Sequence, residues 1–381
     1  MYSQQKYESN VRLDDSDCTF LEYQDAYVLP CRFNPKREWG DGGILDKNKN
    51  FIAESGFYGW TDFGGSYEIH SFDKLDENVI WFGNFMNHWG HFLYDHISRM
   101  WYVLNNYNDE YIVYVGNKME GSFLEFLSLL GVNPKKIIYV DKPIQVKNII
   151  IPEYSYNYKN KTYKKEFIQI FDRVVSEALS NFSMNIEKNI YLSRKNFKFA
   201  LQKEFGEKYI EEAFTLNQYA SLYPESMTLR EQIYVWNMST NVVCVNGTLP
   251  LNLCFAGSNK GLKLIVLNKT KILHDSLYDF QKIFGINVDY IDVFDKKINL
   301  SKNIGAGPFV MEVNENVELL FKHKNYIIPK KSYFQIGKYG FIVRFYFMRL
   351  LKDNIKRILP RKVVSIVQEY RLNKAYNSKQ T

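Results

Sequence analysis

The 381-residue chain is 46% hydrophobic and 24% charged, values that are typical of a globular protein and exclude a wholly disordered one. Its length is sufficient for two domains of ordinary size. From Lys338 onward there are 11 Lys and Arg against 2 Asp and Glu, a local charge of +9, which leaves residues 1–337 at −2 within a total of +7. The basicity belongs to the C-terminal tail, so the main body gives no support to nucleic-acid binding.

The N-terminal decapeptide, MYSQQKYESN, is polar and precedes no apolar run, so we expect no signal peptide. No stretch approaches the length of about 18 uncharged apolar residues that a membrane-spanning helix requires. The four cysteines lack CxxC spacing, which favours a reducing compartment. Together these features predict a cytoplasmic protein.

The first half of the chain alternates between strand and helix patterns. The segment GGILDKNKNFI (42–52) predicts a β-hairpin, and the apolar run VIWFGNF (79–85) predicts a buried strand. The elements predicted after these are, in chain order, a strand over 110–116, a helix over 121–131 and strands over 135–141 and 146–152.

A polar segment rich in Asn and Lys, 154–165, predicts a hinge before a second series. That series contains, in chain order, a helix over 166–182, a strand over 189–195, a helix over 228–238 with a Thr228–Glu231 capping box, a strand over 241–247, a helix over 248–257 and a strand over 262–268. Apolar strands alternating with helices predict parallel sheets covered on both faces. We therefore expect an α/β protein with two Rossmann-like domains facing a cleft, over 1–165 and 166–337. Ligands bind at the carboxyl ends of strands in such sheets.

The segment NHWGHFLYDHISRMW, Asn87 to Trp101, carries three of the six histidines. Helical spacing places His91, Asp95 and Arg99 on one line of a helix that follows the predicted strand. A histidine with an acid one turn later is a candidate general base at neutral pH. The alternative is a structural histidine beside an Asp95–Arg99 ion pair.

His88, His91, Asp95 and His96 also share one helical face, a pattern that suits zinc or iron. Gly90 interrupts this face, and no other cluster of His, Cys or Asp completes a ligand set. We therefore predict no metal and keep a metal hydrolase as a third hypothesis.

The tail, 338–381, repeats apolar residues at helical spacing, with basic residues on another face. The apolar positions are Phe341, Phe345, Met348, Leu351, Ile355 and Ile358, and the basic ones are Arg349, Lys352, Lys356 and Arg357. A second helix is predicted within 361–376. Such a helix either lies on an anionic membrane surface or packs back across the N-terminal domain, and the apolar stripe fits both.

Three ordered blocks between residues 80 and 270 resemble glycosyltransferase family 61, in particular its bacterial members of capsular and extracellular polysaccharide synthesis. The first block is NHWGHFLYDHISRMW, with Gly-His-Phe, an acid four residues later and an Arg four beyond. The second is IYLSRK, a strand ending in Ser-Arg. The third is YPESMTLREQIYVWNMSTNVVCVNGTLPLNLCFA, with Pro-Glu, a Glu-Gln helix, a strand, a Gly turn and a helix that contains an Asn.

The resemblance implies a GT-B fold, with an acceptor domain over 1–165, a nucleotide-sugar donor domain over 166–337 and an inverting reaction. The chain departs from the family pattern in two places. Asn246-Gly247 stands where many members have His-Gly, and the Asn-Glu pair that often follows the Ser-Arg strand has no clear counterpart.

An inverting transfer needs a base for the acceptor hydroxyl and groups that stabilise charge on the leaving diphosphate. His91 and Asp95 are the candidates for the base. Arg194 and Lys195 could bind the diphosphate, although a solvated basic turn is the alternative. The other predicted donor contacts are Glu231, Gln232, Asn246, Gly247, Thr248 and Asn252, and the residues predicted to contact the acceptor or line the cleft are Asn87, His88 and Arg99.

The sequence thus predicts a hexosyl- or N-acetylhexosaminyltransferase that extends a bacterial surface glycan, including one on a lipid carrier. Its donor would be a nucleotide-sugar, with UDP favoured, and it would need no cofactor. We expect it to lie at the cytoplasmic face of the membrane through its basic tail and to bind no nucleic acid. The alternative is a glycan-binding or assembly protein of the same fold without turnover, which the Asn246 departure keeps open.

Overall fold

The computed structural model describes residues 8–358 except 35, 258, 260, 273, 299, 300, 302 and 329–334, and it describes only the backbone of 335, 336 and 352–358. The strands of this part of the chain are β1 (Arg12–Leu13), β2 (Phe20–Gln24), β3 (Tyr27–Asn34), β4 (Arg37–Leu45), β5 (Phe51–Ile52), β6 (Phe57–Tyr58), β7 (Asp62–Phe63), β8 (Asp73–Phe85), β9 (Tyr111–Gly116), β10 (Ile137–Tyr139), β11 (Ile144–Pro152), β12 (Tyr156–Asn157), β13 (Thr162–Tyr163), β14 (Asn189–Leu192), β15 (Glu204–Phe205), β16 (Ala220–Leu222), β17 (Asn241–Val245), β18 (Lys263–Asn268), β19 (Asn287–Asp292) and β20 (Phe309–Val310).

The α-helices of the same residues are α1 (Trp89–His91), α2 (Tyr102–Asn106), α3 (Ser122–Leu130), α4 (Lys165–Leu179), α5 (Lys198–Leu201), α6 (Glu207–Thr215), α7 (Leu229–Met238), α8 (Asp275–Phe284), α9 (Glu315–His323) and α10 (Gln335–Ile358). A π-helical turn covers Phe92–His96, and 3₁₀ segments include Ile97–Arg99 and Leu249–Ala256. No described helix is both long and apolar enough to cross a membrane.

The first sheet has the strand order β10-β9-β8-β11-β3-β4-β5, with β2 also paired to β11. Its β8, β9, β10 and β11 pair in parallel, as the sequence predicts. The strands β2 to β5 pair antiparallel, so the sheet as a whole is mixed, whereas the sequence predicts a parallel sheet only from the strands that follow residue 79. The reason is that short turns join β3, β4 and β5, and such connections permit only antiparallel neighbours. The predicted hairpin over 42–52 is confirmed by the β4–β5 pair.

The second sheet has the order β16-β14-β17-β18-β19 and is parallel throughout. The sequence predicts its three central strands. It misses β16, which has only three half-buried residues, and β19, whose sequence NVDYID carries polar residues. Neither strand shows the continuous apolar run that identifies a strand buried on both faces.

A layer of packed helices lies between the two sheets. One continuous cluster of buried side chains includes Phe92 of the π turn, Phe126 of α3, Phe171 of α4, Phe255 of the 3₁₀ segment and Phe280 of α8. The Glu125 carboxylate of α3 also accepts hydrogen bonds from the first backbone amides of α7, each at 3.0 Å. Helix α3 thus caps α7 and connects the first half of the chain, up to residue 165, to the second half, from residue 166 onward. The boundaries of the two domains stay a prediction.

The segment predicted as a hinge, 154–165, contains the β12–β13 hairpin, which pairs with β1. Tyr156 Oη and Lys161 Nζ each donate to Asp279 Oδ2 of α8 at 2.7 Å, and Asp279 is buried. The segment is therefore attached by a buried carboxylate to α8, in the second half of the chain, and its role as a hinge stays a prediction.

Helix α10 begins against the second half of the protein. Lys338 Nζ donates to Asp295 Oδ2 at 2.8 Å, and the rings of Phe341 and Phe205 stack with centroids 5.5 Å apart. These contacts differ from the packing across the N-terminal domain that one of the two hypotheses for the tail expects. The predicted second helix, 361–376, lies outside the described residues.

Candidate active site

The segment after β8 is not the regular helix that the sequence predicts. It runs from one turn of α-helix, α1, into the π turn, where the backbone amide of Ile97 donates to the carbonyl of Phe92, and then into 3₁₀ geometry. His88 precedes α1, and its Nδ1 accepts from the backbone amide of His91 at 3.3 Å. π turns are rare in proteins and concentrate at functional sites.

His91 and Asp95 form a dyad on this turn. His91 Nδ1 lies 3.0 Å from Asp95 Oδ2 and 2.8 Å from the hydroxyl of Tyr94. The Asp95 side chain is 1% exposed and that of His91 is 16% exposed. Burial raises the pKa of Asp95, although its hydrogen bonds oppose that shift, and burial also raises the pKa of Tyr94. With its Nδ1 proton directed at Asp95, neutral His91 carries an unprotonated Nε2, the arrangement a general base requires.

Trp60, on the turn between β6 and β7, contacts both members of the dyad. Its indole Nε1 donates to Asp95 Oδ2 at 2.9 Å, and its ring stacks on His91 with centroids 4.4 Å apart. Trp39 of β4 meets the Trp60 ring edge-on at 5.0 Å. The carboxylate oxygen thus accepts two hydrogen bonds, and the imidazole is fixed between an aromatic ring and its acid.

Arg99 is fully buried and does not pair with Asp95. Its Nη2 donates to the carbonyls of Glu54 and Gly56 at 2.6 and 3.2 Å, its Nη1 donates to the carbonyl of Pro152, and its guanidinium lies 3.9 Å from the Tyr154 ring centroid. The prediction that Arg99 lines the cleft is wrong, as is the alternative of an ion pair. The irregular turn directs the side chain inward, where it holds the segment that precedes the Trp60 hairpin.

His96 and Asn87, two further polar residues of this segment, have different hydrogen-bond partners. His96 is buried, and its Nε2 accepts from the backbone amide of Met86 at 3.2 Å. Asn87 is exposed, and its backbone amide donates to Asn117. Among the described residues, no group of three or more His, Cys, Asp or Glu side chains is arranged to hold a metal ion, so the geometry gives the metal hydrolase no support.

Cationic side chains converge at the carboxyl ends of β14 and β18. Arg194 Nη1 lies 3.3 Å and Lys269 Nζ 2.7 Å from Glu204 Oε1, and both Lys269 and Glu204 are buried. Burial disfavours the charged form of Glu204, but Lys269 and Arg194 outweigh it and hold the pKa of Glu204 below its usual range. Burial lowers the pKa of Lys269, an effect that Glu204 opposes. Two positive groups therefore share one carboxylate.

Gly247 lies directly beside these cations. A Cβ atom at this position would be 3.1 Å from Arg194 Nη1 and 3.6 Å from Lys269 Nζ, and the φ angle of +151° also favours glycine. The absent side chain leaves space next to both positive groups. Thr248 follows, half-buried, and precedes the 3₁₀ segment without capping it through its side chain.

Two further charged residues, Lys195 and Glu207, lie next to this group and bind partners other than Glu204. Lys195 Nζ donates to Glu211 Oε1 at 3.0 Å, which ties it to α6 at the edge of this group. Glu207 Oε1 accepts from the backbone amide of Arg194 at 2.8 Å, and burial raises the pKa of Glu207 to about 7.

Gln232 and Asn252 connect the second half to the turn of His91. Trp89 Nε1 donates to Asn252 Oδ1 at 2.7 Å, and Asn252 Nδ2 donates to Gln232 Oε1 at 3.4 Å. Glu231 closes the predicted capping box with Thr228, which is confirmed. Direct donor contacts for Gln232, Asn252 and Glu231 stay predictions.

Three residues of this region are missing from the sequence-based candidates: Trp60, Glu204 and Lys269. Lys269 directly follows β18, so the rule that selects Arg194 and Gly247 at strand ends could have found it. Trp60 stands in YGWTDFGG, but a chain with 17% aromatic residues gives single rings little weight. Glu204 lies on a two-residue strand that has no sequence signal.

Residues 89–263 match the family model described as Glycosyltransferase 61. The matched segment contains His91, Asp95, Arg194 and Gly247. The match supports the family resemblance and, at this level, glycosyltransferase activity. No curated protein matches the chain.

Proposed function

We propose that the protein is an inverting glycosyltransferase in which His91 is the general base. The observation that carries the proposal is the His91–Asp95 dyad, with Nδ1 bound to a buried carboxylate and the ring stacked on Trp60. The acceptor oxygen forms a bond to the anomeric carbon while the bond from that carbon to the diphosphate oxygen breaks. The hydroxyl proton moves to His91 Nε2, and the diphosphate leaves with the electron pair.

The leaving diphosphate would bind at Arg194, Lys269 and Gly247. Two cations that share one carboxylate have capacity for a further anion, and the missing Cβ of Gly247 gives phosphate oxygens access to both. A guanidinium and an ammonium at fixed positions stabilise charge that develops as the bond to the leaving group breaks. The donor would be a UDP-hexose or UDP-N-acetylhexosamine and the acceptor a bacterial surface glycan.

The exposed face of α10 supports an anionic membrane surface as a partner. Tyr339, Val343, Phe347 and Leu350 are 59%, 70%, 59% and 62% exposed and follow one another at helical spacing. They lie on the side of the helix away from Lys338 and Phe341, which dock on the protein. A row of exposed apolar residues in a segment of net charge +9 suits an anionic bilayer, which attracts the charge and takes up the apolar side chains.

The test of the transferase is a thermal-shift screen against UDP, GDP, CMP and dTDP, followed by transfer assays with the matching nucleotide-sugars. A nucleotide that binds only the folded protein raises the melting temperature. His91→Ala should lower transfer by roughly 10²–10⁴-fold with unchanged nucleotide affinity, whereas His70→Ala, whose side chain is 82% exposed, should have no effect. Full transfer by His91→Ala would contradict the assignment of the base, and nucleotide binding without transfer by the native protein would favour the non-catalytic alternative.

The test of the membrane surface is flotation with vesicles that contain phosphatidylglycerol or only phosphatidylcholine. The protein should float with the anionic vesicles, and Phe347→Ser should weaken that binding. Leu216→Ser, at a leucine that is 55% exposed outside the tail, is the control. Equal flotation of the native protein and Phe347→Ser would contradict this role of α10.

A further inference from the structure

A row of polar side chains crosses the carboxyl ends of three neighbouring parallel strands. His274 Nδ1 lies 3.0 Å from Asn246 Oδ1, Asn246 Nδ2 donates to Asn268 Oδ1 at 2.8 Å, and Asn268 Nδ2 donates to Asp292 Oδ1 at 2.9 Å. Asn246 follows β17, Asn268 ends β18 and Asp292 ends β19. The side chains of Asn246 and Asn268 are buried, so these hydrogen bonds are hardly accessible to water.

The donor and acceptor of each hydrogen bond in this row are fixed by the carboxylate at its end. A carboxylate only accepts hydrogen bonds, so Asn268 must turn its amino group to Asp292 and its carbonyl to Asn246. Asn246 then offers its own carbonyl oxygen to His274, and Nδ1 of His274 must carry the proton. Burial lowers the pKa of His274 to about 4, so the ring is neutral at pH 7 and Nε2 is an unprotonated acceptor.

His274 lies near both parts of the candidate active site, and its partner Asn246 directly precedes Gly247. After burial, the groups that most strongly disfavour its protonated form are Lys269 and His88. Lys269 is one of the cations beside Gly247, and His88 caps the turn that carries His91. A sugar whose diphosphate contacts Lys269 and whose anomeric carbon faces His91 would therefore lie near His274. Among the described residues, no hydrogen bond to His274 Nε2 is present.

We propose that His274 binds a hydroxyl group of the transferred sugar, with Nε2 as the hydrogen-bond acceptor. Asn246, Asn268 and Asp292 are positioning residues that fix its tautomer and the orientation of its ring. A neutral acceptor suits a hydroxyl, which has a proton to donate, and does not suit a phosphate oxygen, which has none. This assignment rests on the proposed function, because it requires a nucleotide-sugar in the cleft.

The experiment compares nucleotides with their sugar conjugates by calorimetry, using UDP with UDP-glucose and UDP-N-acetylglucosamine, and GDP with GDP-mannose. His274→Ala should weaken the nucleotide-sugar by about 10-fold, the contribution of one hydrogen bond, and leave the free nucleotide unchanged. His274→Gln, which retains an acceptor, should restore part of the loss. His70→Ala is the control, and melting curves show whether each variant is folded.

Deoxy-sugar analogues identify the hydroxyl. One analogue should bind the native protein about 10-fold more weakly than its parent, and His274→Ala should bind the two equally. An equal loss of nucleotide and nucleotide-sugar in His274→Ala, or no loss of either with His274→Gln also unchanged, would overturn the assignment while leaving the transferase intact. If no nucleotide or nucleotide-sugar binds the native protein, the proposed function fails first and this assignment fails with it.

Discussion

The turn of His91 and the strand ends around Lys269 both keep ionisable groups away from water, but they do so with different partners. In the turn, the Asp95 carboxylate is hydrogen-bonded to two aromatic groups, the Trp60 indole and the His91 imidazole. At the strand ends, the Glu204 carboxylate is surrounded by Arg194 and Lys269, which are cations. The first arrangement can take up a proton during a reaction. The second holds fixed positive charge and can exchange one anion for another.

The two regions also differ in how the chain builds them. His91, Tyr94 and Asp95 come from one turn, and Trp60 reaches them from a distant hairpin. Arg194, Gly247 and Lys269 come from three segments that a parallel sheet brings to one edge, and Glu204 reaches them from the separate β15–β20 pair. A change in the turn should therefore affect chemistry with little effect on stability, and a change among the strand ends should affect both.

Asp95→Asn tests the first half of this comparison. An amide retains the shape of the carboxylate but no longer fixes the Nδ1 proton of His91, so transfer should fall by roughly 100-fold or more, with the nucleotide affinity unchanged. Asp62→Asn, on the exposed part of the Trp60 hairpin, should transfer at the native rate. Native transfer rates in Asp95→Asn would show that the carboxylate does not orient the base.

Lys269→Met tests the other side of this comparison, the expectation that a change among the strand ends affects stability. It leaves the buried Glu204 carboxylate with Arg194 alone, and breaking a buried ion pair costs roughly 3–5 kcal/mol of unfolding free energy. The double variant Lys269→Met/Glu204→Gln should recover much of that loss in urea unfolding, because it removes the buried carboxylate that Lys269→Met leaves short of one cation. Lys195→Met removes a partly exposed ion pair with Glu211 and should cost about 1 kcal/mol or less. Strictly additive losses in the double variant would contradict the coupling of Lys269 and Glu204.

The sequence predicts the turn better than the strand ends because the turn is one continuous segment, whereas the strand ends come from separate segments. Contacts between residues four apart follow from helical geometry, so the His91–Asp95 pair could be predicted although the π turn could not. The direction of Arg99 could not be predicted either, because one irregular turn rotates every later side chain. The strand-end network depends on sheet order, and β16 and β19 give too little apolar signal to fix that order. Glu204 and Lys269 become neighbours only in the folded protein.

Trp60→Phe sharpens the account of the turn. Phenylalanine can still stack on His91 but cannot donate to Asp95, so the variant separates ring packing from hydrogen bonding. We expect transfer to fall by about 10-fold, the contribution of one hydrogen bond to a buried carboxylate. Tyr58→Phe, at an exposed residue of the same hairpin, is the control. A loss equal to that of Asp95→Asn would mean that Trp60 has a further role.

Glu207→Gln tests the electrostatics of the strand ends through pH. Burial raises the pKa of Glu207 to about 7 from an ordinary value of 4.5, so the folded protein keeps a proton that the unfolded chain has already released. Its contribution to stability is complete below pH 4.5 and is lost as the pH rises through 7. Glutamine can still accept from the Arg194 amide and does not titrate. The free energy of unfolding of Glu207→Gln minus that of the native protein should therefore increase, in the sense of a relatively more stable variant, between pH 4.5 and pH 7. Glu212→Gln, at an exposed residue of the same helix, should show no such trend. A difference that stays constant across this range would show that Glu207 is ionised in the folded protein.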